Sequence, residues 1–175
     1  MDSPRRLSLL VPAAALAFAI AHVAFEHFNG GVKTHHFLAR GDLPGFSNWF
    51  GLAVLPLVAT VFAMRVRSVQ RTAGIYDFPH SMSVPLIGSL LYGTVLAASF
   101  HFGASQVSLA AFIGLFVCAL AFPVYRAEYI LGFILGMTVT FGSVIPLIFA
   151  LVFAAVSFAV RSAWRLIISF RSRRA

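Results

Sequence analysis

The apolar stretch from Tyr129 to Val160 contains 32 residues, or roughly 48 Å of α-helix at 1.5 Å per residue. A bilayer core of about 30 Å is crossed by about 20 apolar residues, so this stretch is too long for one ordinary crossing. Gly142-Ser143 and Pro146 offer a break in its middle, since proline removes a helix donor and restricts Ile145 before it. Two spans, at about 126–144 and 146–168, are the expectation.

The rest of the chain has the same character. Apolar residues make up 60% of it and charged residues 10%, with a mean hydropathy of +0.92. A soluble domain carries roughly 25% charged residues, so too few are present to cover a water-facing surface. With no polar block or long linker to divide the chain, residues 1–175 read as a single integral membrane domain. Four further spans are expected at about 7–28, 49–64, 84–102 and 107–125. Asn29-Gly30-Gly31 stops the first, Ser47 or Asn48 caps the second, and Pro85 suits the first turn of the third. Arg65, Arg67 and Arg71 mark a basic loop extended to about Ser83. The N-terminal apolar run continues through Phe25 without a clean small-residue cleavage site, so it reads as a retained first span.

Charge sets the expected topology. With six spans, 11 of the 13 Lys and Arg residues lie on one side and only Lys33 and Arg40 on the other. With five, the alternative, the split becomes six against seven. The positive-inside bias favours six, with both termini cytoplasmic, and suggests a bacterial inner membrane. The terminal segment Ser162–Phe170 has a second reading as an amphipathic interfacial helix. The net charge of +8 is accordingly assigned to topology and to anionic membrane lipids, not to nucleic acid. The expected fold class is all-α, a polytopic transmembrane bundle.

Small residues recur at helical spacing as Gly132, Gly136 and Thr140 and as Ala13, Ala17 and Ala21, a pattern that lets helices approach closely in lipid. The lone Cys118 excludes an intrachain disulfide and a Cys-rich metal site.

Ionisable residues inside apolar spans are costly and therefore point to function. His22 and Glu26 share one face of the first span at i, i+4, and in a six-span topology His101 ends the third span on the same side. His27, His35 and His36 follow in the outer loop. Imidazole and carboxylate together suit Zn, Fe, Mn or Cu. The expectation is a metal site of His22, Glu26 and His101, completed by His35 or His36, with Glu26 as ligand or general base; a haem between His22 and His101 is a variant. Asp77, His80, Arg126 and Glu128 form a second polar group on the inner side, with Glu128 as a further catalytic candidate. No phosphate loop, nucleophile elbow, Cys-x-x-Cys or dinucleotide fingerprint is present.

Two functions are compatible with this pattern. One is a small membrane metalloenzyme acting on a lipid-soluble substrate. The other is a non-enzymatic transporter, channel subunit or scaffold, whose polar path would have to run past Thr60, Tyr92, Thr94, Ser99, Thr138 and Ser157.

Overall fold

The computed structural model describes residues 3–37, 40–74 and 78–172, with side chains described from 9 to 170 within those stretches. Asp77, Arg173 and Arg174 lie outside the described residues, as do the side chains of Arg5, Arg6 and Arg171. The described chain is helical throughout except for one small hairpin. Its elements are α1 (Ser3–Phe28), β1 (Thr34–His36), β2 (Gly45–Ser47), a 3-10 turn (Asn48–Phe50), α2 (Gly51–Ala73), α3 (His80–His101), α4 (Ser105–Ala121), α5 (Ala127–Phe141) and α6 (Val144–Ser172).

Four of these are long and apolar enough to cross a membrane: α1, α2 with its leading turn, α3 and α6. The other two, α4 and α5, are apolar but shorter, at 17 and 15 residues. Large apolar side chains lie exposed along the outside of the bundle, among them Leu57, Val61, Ile87, Leu91, Ile113 and Val117. In lipid such a surface carries no hydrophobic penalty.

The expected break holds. α5 ends at Phe141, Gly142 takes a φ of +69°, and α6 starts at Val144 with Pro146 in its first turn. From there α6 continues without interruption to Ser172, so the terminal segment is the end of the same helix.

Three expectations are corrected. Arg65, Arg67 and Arg71 are not in a loop but on the last turns of α2, which runs to Ala73 and closes on Gly74 in the left-handed conformation. Val66 and Gln70 from the same turns are buried, so one face of the helix has a core to pack against while Arg71 reaches outward. α3 begins at His80, before Pro85, because Met82 is buried in the core and Phe78 stacks near Phe62 at 6.1 Å. On α1 the packed face is Ala15, Ala19, Val23 and Glu26, and Ala13, Ala17 and Ala21 are exposed. The two alanine series have the same spacing, and only the buried carboxylate shows which one faces inward.

The glycines of α5 act as their spacing predicts. α3 and α5 form the most extensive helix interface in the bundle. A Cβ on Gly132 would strike the carbonyl of Leu86 and the hydroxyl of Ser89, and one on Gly136 the backbone of Leu90 and Thr94. Gly93 returns the contact from α3, against the carbonyl of Phe133. α5 thus touches α2, α3 and α6, while α4 closes a ring by touching α3 on one side and α6 on the other.

The remaining contacts order the two ends of the bundle. The end of α1, the hairpin, the end of α3 and the α5–α6 turn gather at one end. The last turns of α2, the start of α3, the α4–α5 turn and Arg161 of α6 gather at the other, the arginine-rich end.

Candidate functional site

At the hairpin end a buried polar cluster links three parts of the chain. Glu26, in the last turn of α1, is 4% exposed. Its Oε1 accepts from Asn48 Nδ2 at 2.8 Å and its Oε2 from the backbone N–H of Lys33 at 3.2 Å. His22, one turn earlier, places Nε2 3.8 Å from the same carboxylate. A buried carboxylate without donors would be costly, and these partners supply them.

The hairpin is what delivers Asn48. β1 and β2 pair antiparallel, Thr34 with Ser47, His35 with Phe46 and His36 with Gly45. Alternation along β1 turns His35 inward and leaves Thr34 and His36 exposed. Ser47 caps the following turn by accepting from the N–H of Trp49, which frees the Asn48 side chain to face Glu26. Asn48 Nδ2 also lies 3.3 Å from His35 Nε2. With the amide donating to both, His35 Nε2 is the acceptor and the ring is the neutral Nδ1–H tautomer. Burial holds the His35 imidazole below its usual range; the positive charges of Lys33 and His22 act in the same direction, and Glu26 opposes them. Gly142 closes the cluster from the α5–α6 turn, where a Cβ would collide with Asn48 Oδ1.

The structure therefore joins Glu26 and His35 through Asn48, with His22 beside Glu26. It leaves His36 exposed beside Gly45, and His101 exposed at the end of α3 with its ring edge-on to Phe102. His27 is exposed as well, against Phe28. Among the described residues, no three His, Cys, Asp or Glu side chains are grouped as ligands for a metal ion. The amide of Asn48 occupies the place between Glu26 and His35.

At the opposite end Glu128 is 1% exposed and accepts from Arg65 Nε at 2.9 Å. Its partner comes from α2, not from the neighbouring Arg126. His80 is exposed at the start of α3. Among the described residues, the expected inner group thus reduces to one ion pair joining α2 to α5, buried on its Glu128 side, with Arg126 apart from it.

Between the two ends lies a feature with no counterpart in the sequence motifs. α3, α4, α5 and α6 line an open-sided cavity of about 360 Å³. Val84, Pro85, Gly88, Ser89 and Tyr92 line it from α3, and Leu115 and Cys118 from α4. Phe122, Val124, Tyr129, Ile130 and Phe133 line it from the α4–α5 turn and α5, and Ala150 and Phe153 from α6. Tyr92 reaches across to the carbonyl of Ala111 at 2.5 Å, and Gly114 leaves room for its hydroxyl. Below, Ser157 Oγ donates to Phe122 O at 2.8 Å and Arg161 Nη2 to Ala121 O at 2.7 Å. Aromatic contacts from Phe37 to Phe149, from Phe149 to Phe112 and from Phe112 to Phe153 run from the hairpin to the cavity wall.

The other mid-helix polar groups form no path. Thr60, Thr94 and Thr138 each donate to a carbonyl four residues earlier, and Ser99 pairs with Ser108 at 2.9 Å.

The fold thus defines an all-helical chain with four helices of membrane-crossing length and an apolar chamber between its helices. No family model, no curated protein and no solved structure matches the chain.

Proposed function

We propose that this chain is a six-span protein of a bacterial inner membrane that receives the apolar part of a lipid-soluble molecule in the chamber between α3, α4, α5 and α6. The observation that carries the proposal is the chamber itself. Ligand pockets run from about 300 to 1,000 Å³, and a dry cavity of about 150 Å³ already binds benzene. The chamber is open-sided, with Val84, Gly88 and Phe122 of its wall exposed, so an apolar chain can enter it directly from surrounding lipid. Water is a poor filler, since each molecule needs two to four polar partners and most of the wall is apolar. A hydrocarbon chain fits the lining.

Six spans are supported by the position of α5, which is largely buried among other helices and does not need the full thickness of lipid around it. Arg161 bonding to the end of α4 brings the arginine-rich part of α6 to the same end as Arg65 and Glu128. That is the arrangement expected of the cytoplasmic side.

Binding without catalysis fits the carboxylates better than a metalloenzyme does. Glu26 and Glu128 are engaged by Asn48 and Arg65, and neither lines the chamber. A metal or haem at the hairpin end would have to displace the Asn48 amide and recruit a ligand from the surface. Passage of a charged solute has no polar lining to follow.

The test is native mass spectrometry and lipid extraction of the full-length protein in mild detergent. Gly88 lines the open side of the chamber, and a Cβ there meets nothing within 4 Å, so Gly88→Phe sets a ring at the chamber mouth with its Cβ free of clashes. Wild type should retain a lipid-soluble molecule and the variant should lose it while melting no earlier. Equal retention by both would overturn the proposal.

A further inference from the structure

Among the described residues, the arginine-rich end of the chamber carries more cationic donors than acids to satisfy them. Tyr129 lines the chamber in the first turn of α5 after Arg126, and Arg161 bonds to Ala121, beside the chamber wall at Phe122. Glu128 is committed to Arg65 at 2.9 Å. Neither Arg126 nor Arg161 has a carboxylate partner among the described residues. Arg161 gives one N–H to the carbonyl of Ala121, yet its Nε is buried with no acceptor among the described residues. Buried guanidinium N–H groups are normally bonded, so this one calls for an acceptor beyond the described side chains. α5 also begins here, with Arg126 at its cap and no side-chain oxygen on its first N–H groups, so the helix dipole adds to the positive potential.

We propose that the chamber and this rim bind a single amphiphile: a membrane lipid with an anionic phosphate head group. Its phosphate is held by Arg126 and Arg161, with the Tyr129 hydroxyl donating, and one acyl chain runs into the chamber. This rests on the chamber's holding an apolar chain and adds the chemistry of the head. The geometry matches the ligand at both ends. From Pro85 to Tyr92 the α3 wall extends about 10 Å at 1.5 Å per residue, and the polar donors stand at one end of it. A soluble phosphate would satisfy the arginines but leave the apolar chamber without a partner. A neutral lipid would fill the chamber but leave two arginines uncompensated. The arginine-rich end is the cytoplasmic one in the proposed topology, and that leaflet displays anionic lipid.

The experiment is native mass spectrometry of the full-length protein in mild detergent, titrated with phosphatidylglycerol and phosphatidylcholine of identical chains. Two arginines near a membrane surface together favour an anionic head by about thirty-fold, and wild type should retain phosphatidylglycerol by that margin. Arg126→Gln with Arg161→Gln should bring the two lipids to within a few-fold of each other. Arg71→Gln, an exposed arginine of α2 away from the rim, should leave the preference intact. Should the double variant fail to fold, Arg126→Gln alone should lower the preference about five-fold. Gly88→Phe should abolish retention of both lipids.

Equal retention of the two lipids by wild type, with Gly88→Phe still abolishing both, would overturn the head-group assignment and leave the chamber's role standing. A preference that Arg71→Gln removes as fully as the rim variants would overturn it too, as nonspecific charge attraction. Retention of neither lipid by wild type, or of both by Gly88→Phe, would remove the chamber's role and this inference with it.

Discussion

Replacing Asn48 by alanine tests whether the hairpin end is held by one buried amide. Asn48 is 3% exposed, and its two N–H bonds reach Glu26 at 2.8 Å and His35 at 3.3 Å. A hydrogen bond to a charged group contributes ~1.5–3 kcal/mol and a neutral one ~1 kcal/mol. Losing both leaves Glu26 with only the Lys33 N–H as a firm donor. The expected loss is about 3 kcal/mol, and at ~2–4 °C per kcal/mol for a chain of this length the melting temperature should fall by about 6–12 °C. Intrinsic fluorescence in mild detergent reads this directly, because Trp49 follows Asn48 in the same turn. Asn48→Asp keeps the size but presents a second carboxylate to Glu26, so at pH 8 it should melt below the alanine variant. An alanine variant within about 1 °C of wild type would refute the clasp, as would an aspartate variant more stable than alanine.

Two further perturbations follow from other parts of the bundle. Gly136→Ala should cost about 2 kcal/mol or more by driving a methyl group into the backbone of Leu90 and Thr94. Gly88→Ala, placed in open space on α3, should cost far less; comparable melting temperatures for the two would show that α3 and α5 are not in close register. Acidification should weaken the hairpin end through His35. The folded imidazole takes up its proton at lower pH than the unfolded one at 6.5, so below that value the unfolded chain binds more protons. Stability fully present above about pH 6.5 is therefore lost as pH falls toward the folded value, by up to ~1.4 kcal/mol per unit. Glu26, Lys33 and His22 are the charged neighbours that set its extent. Melting curves from pH 8 to pH 5 should show a steeper decline for wild type than for His35→Gln; equal slopes would exclude His35 as the group responsible.

Features carried by one continuous segment were legible before any coordinates. The run from Tyr129 to Val160 had to break, and it breaks at Gly142-Ser143, where a positive φ and then a proline leave little alternative. Gly132 and Gly136 announced a close helix contact because only a residue without Cβ permits one. His22 and Glu26 could be paired because four residues return a helix to the same face. Charge was a less reliable guide to helix ends. Arg65 to Arg71 looked like a loop, yet a helix keeps its course when positions one turn apart, such as Val66 and Gln70, still have a core to enter and Arg65 finds a partner in Glu128.

Partners distant in sequence carry no such local mark, and the polar sites are built from them. Glu26 meets Asn48 across 22 residues and Arg65 meets Glu128 across 63. Asn48 was legible only as a capping residue, a role that Ser47 performs. The hairpin that turns Asn48 inward has strands of three residues each, too short to show a period-two pattern. The cavity is harder still to foresee, since it arises where α4 packs mainly on α3 and α6 and stands off from α5. Tyr92 and Gly114 set the upper part of that separation and the Ser157 and Arg161 bonds to the end of α4 set the lower part. Each is an ordinary residue in an apolar helix. Together they keep apolar walls apart at a distance that protein side chains do not fill, which is the space the proposed lipid-soluble chain would occupy.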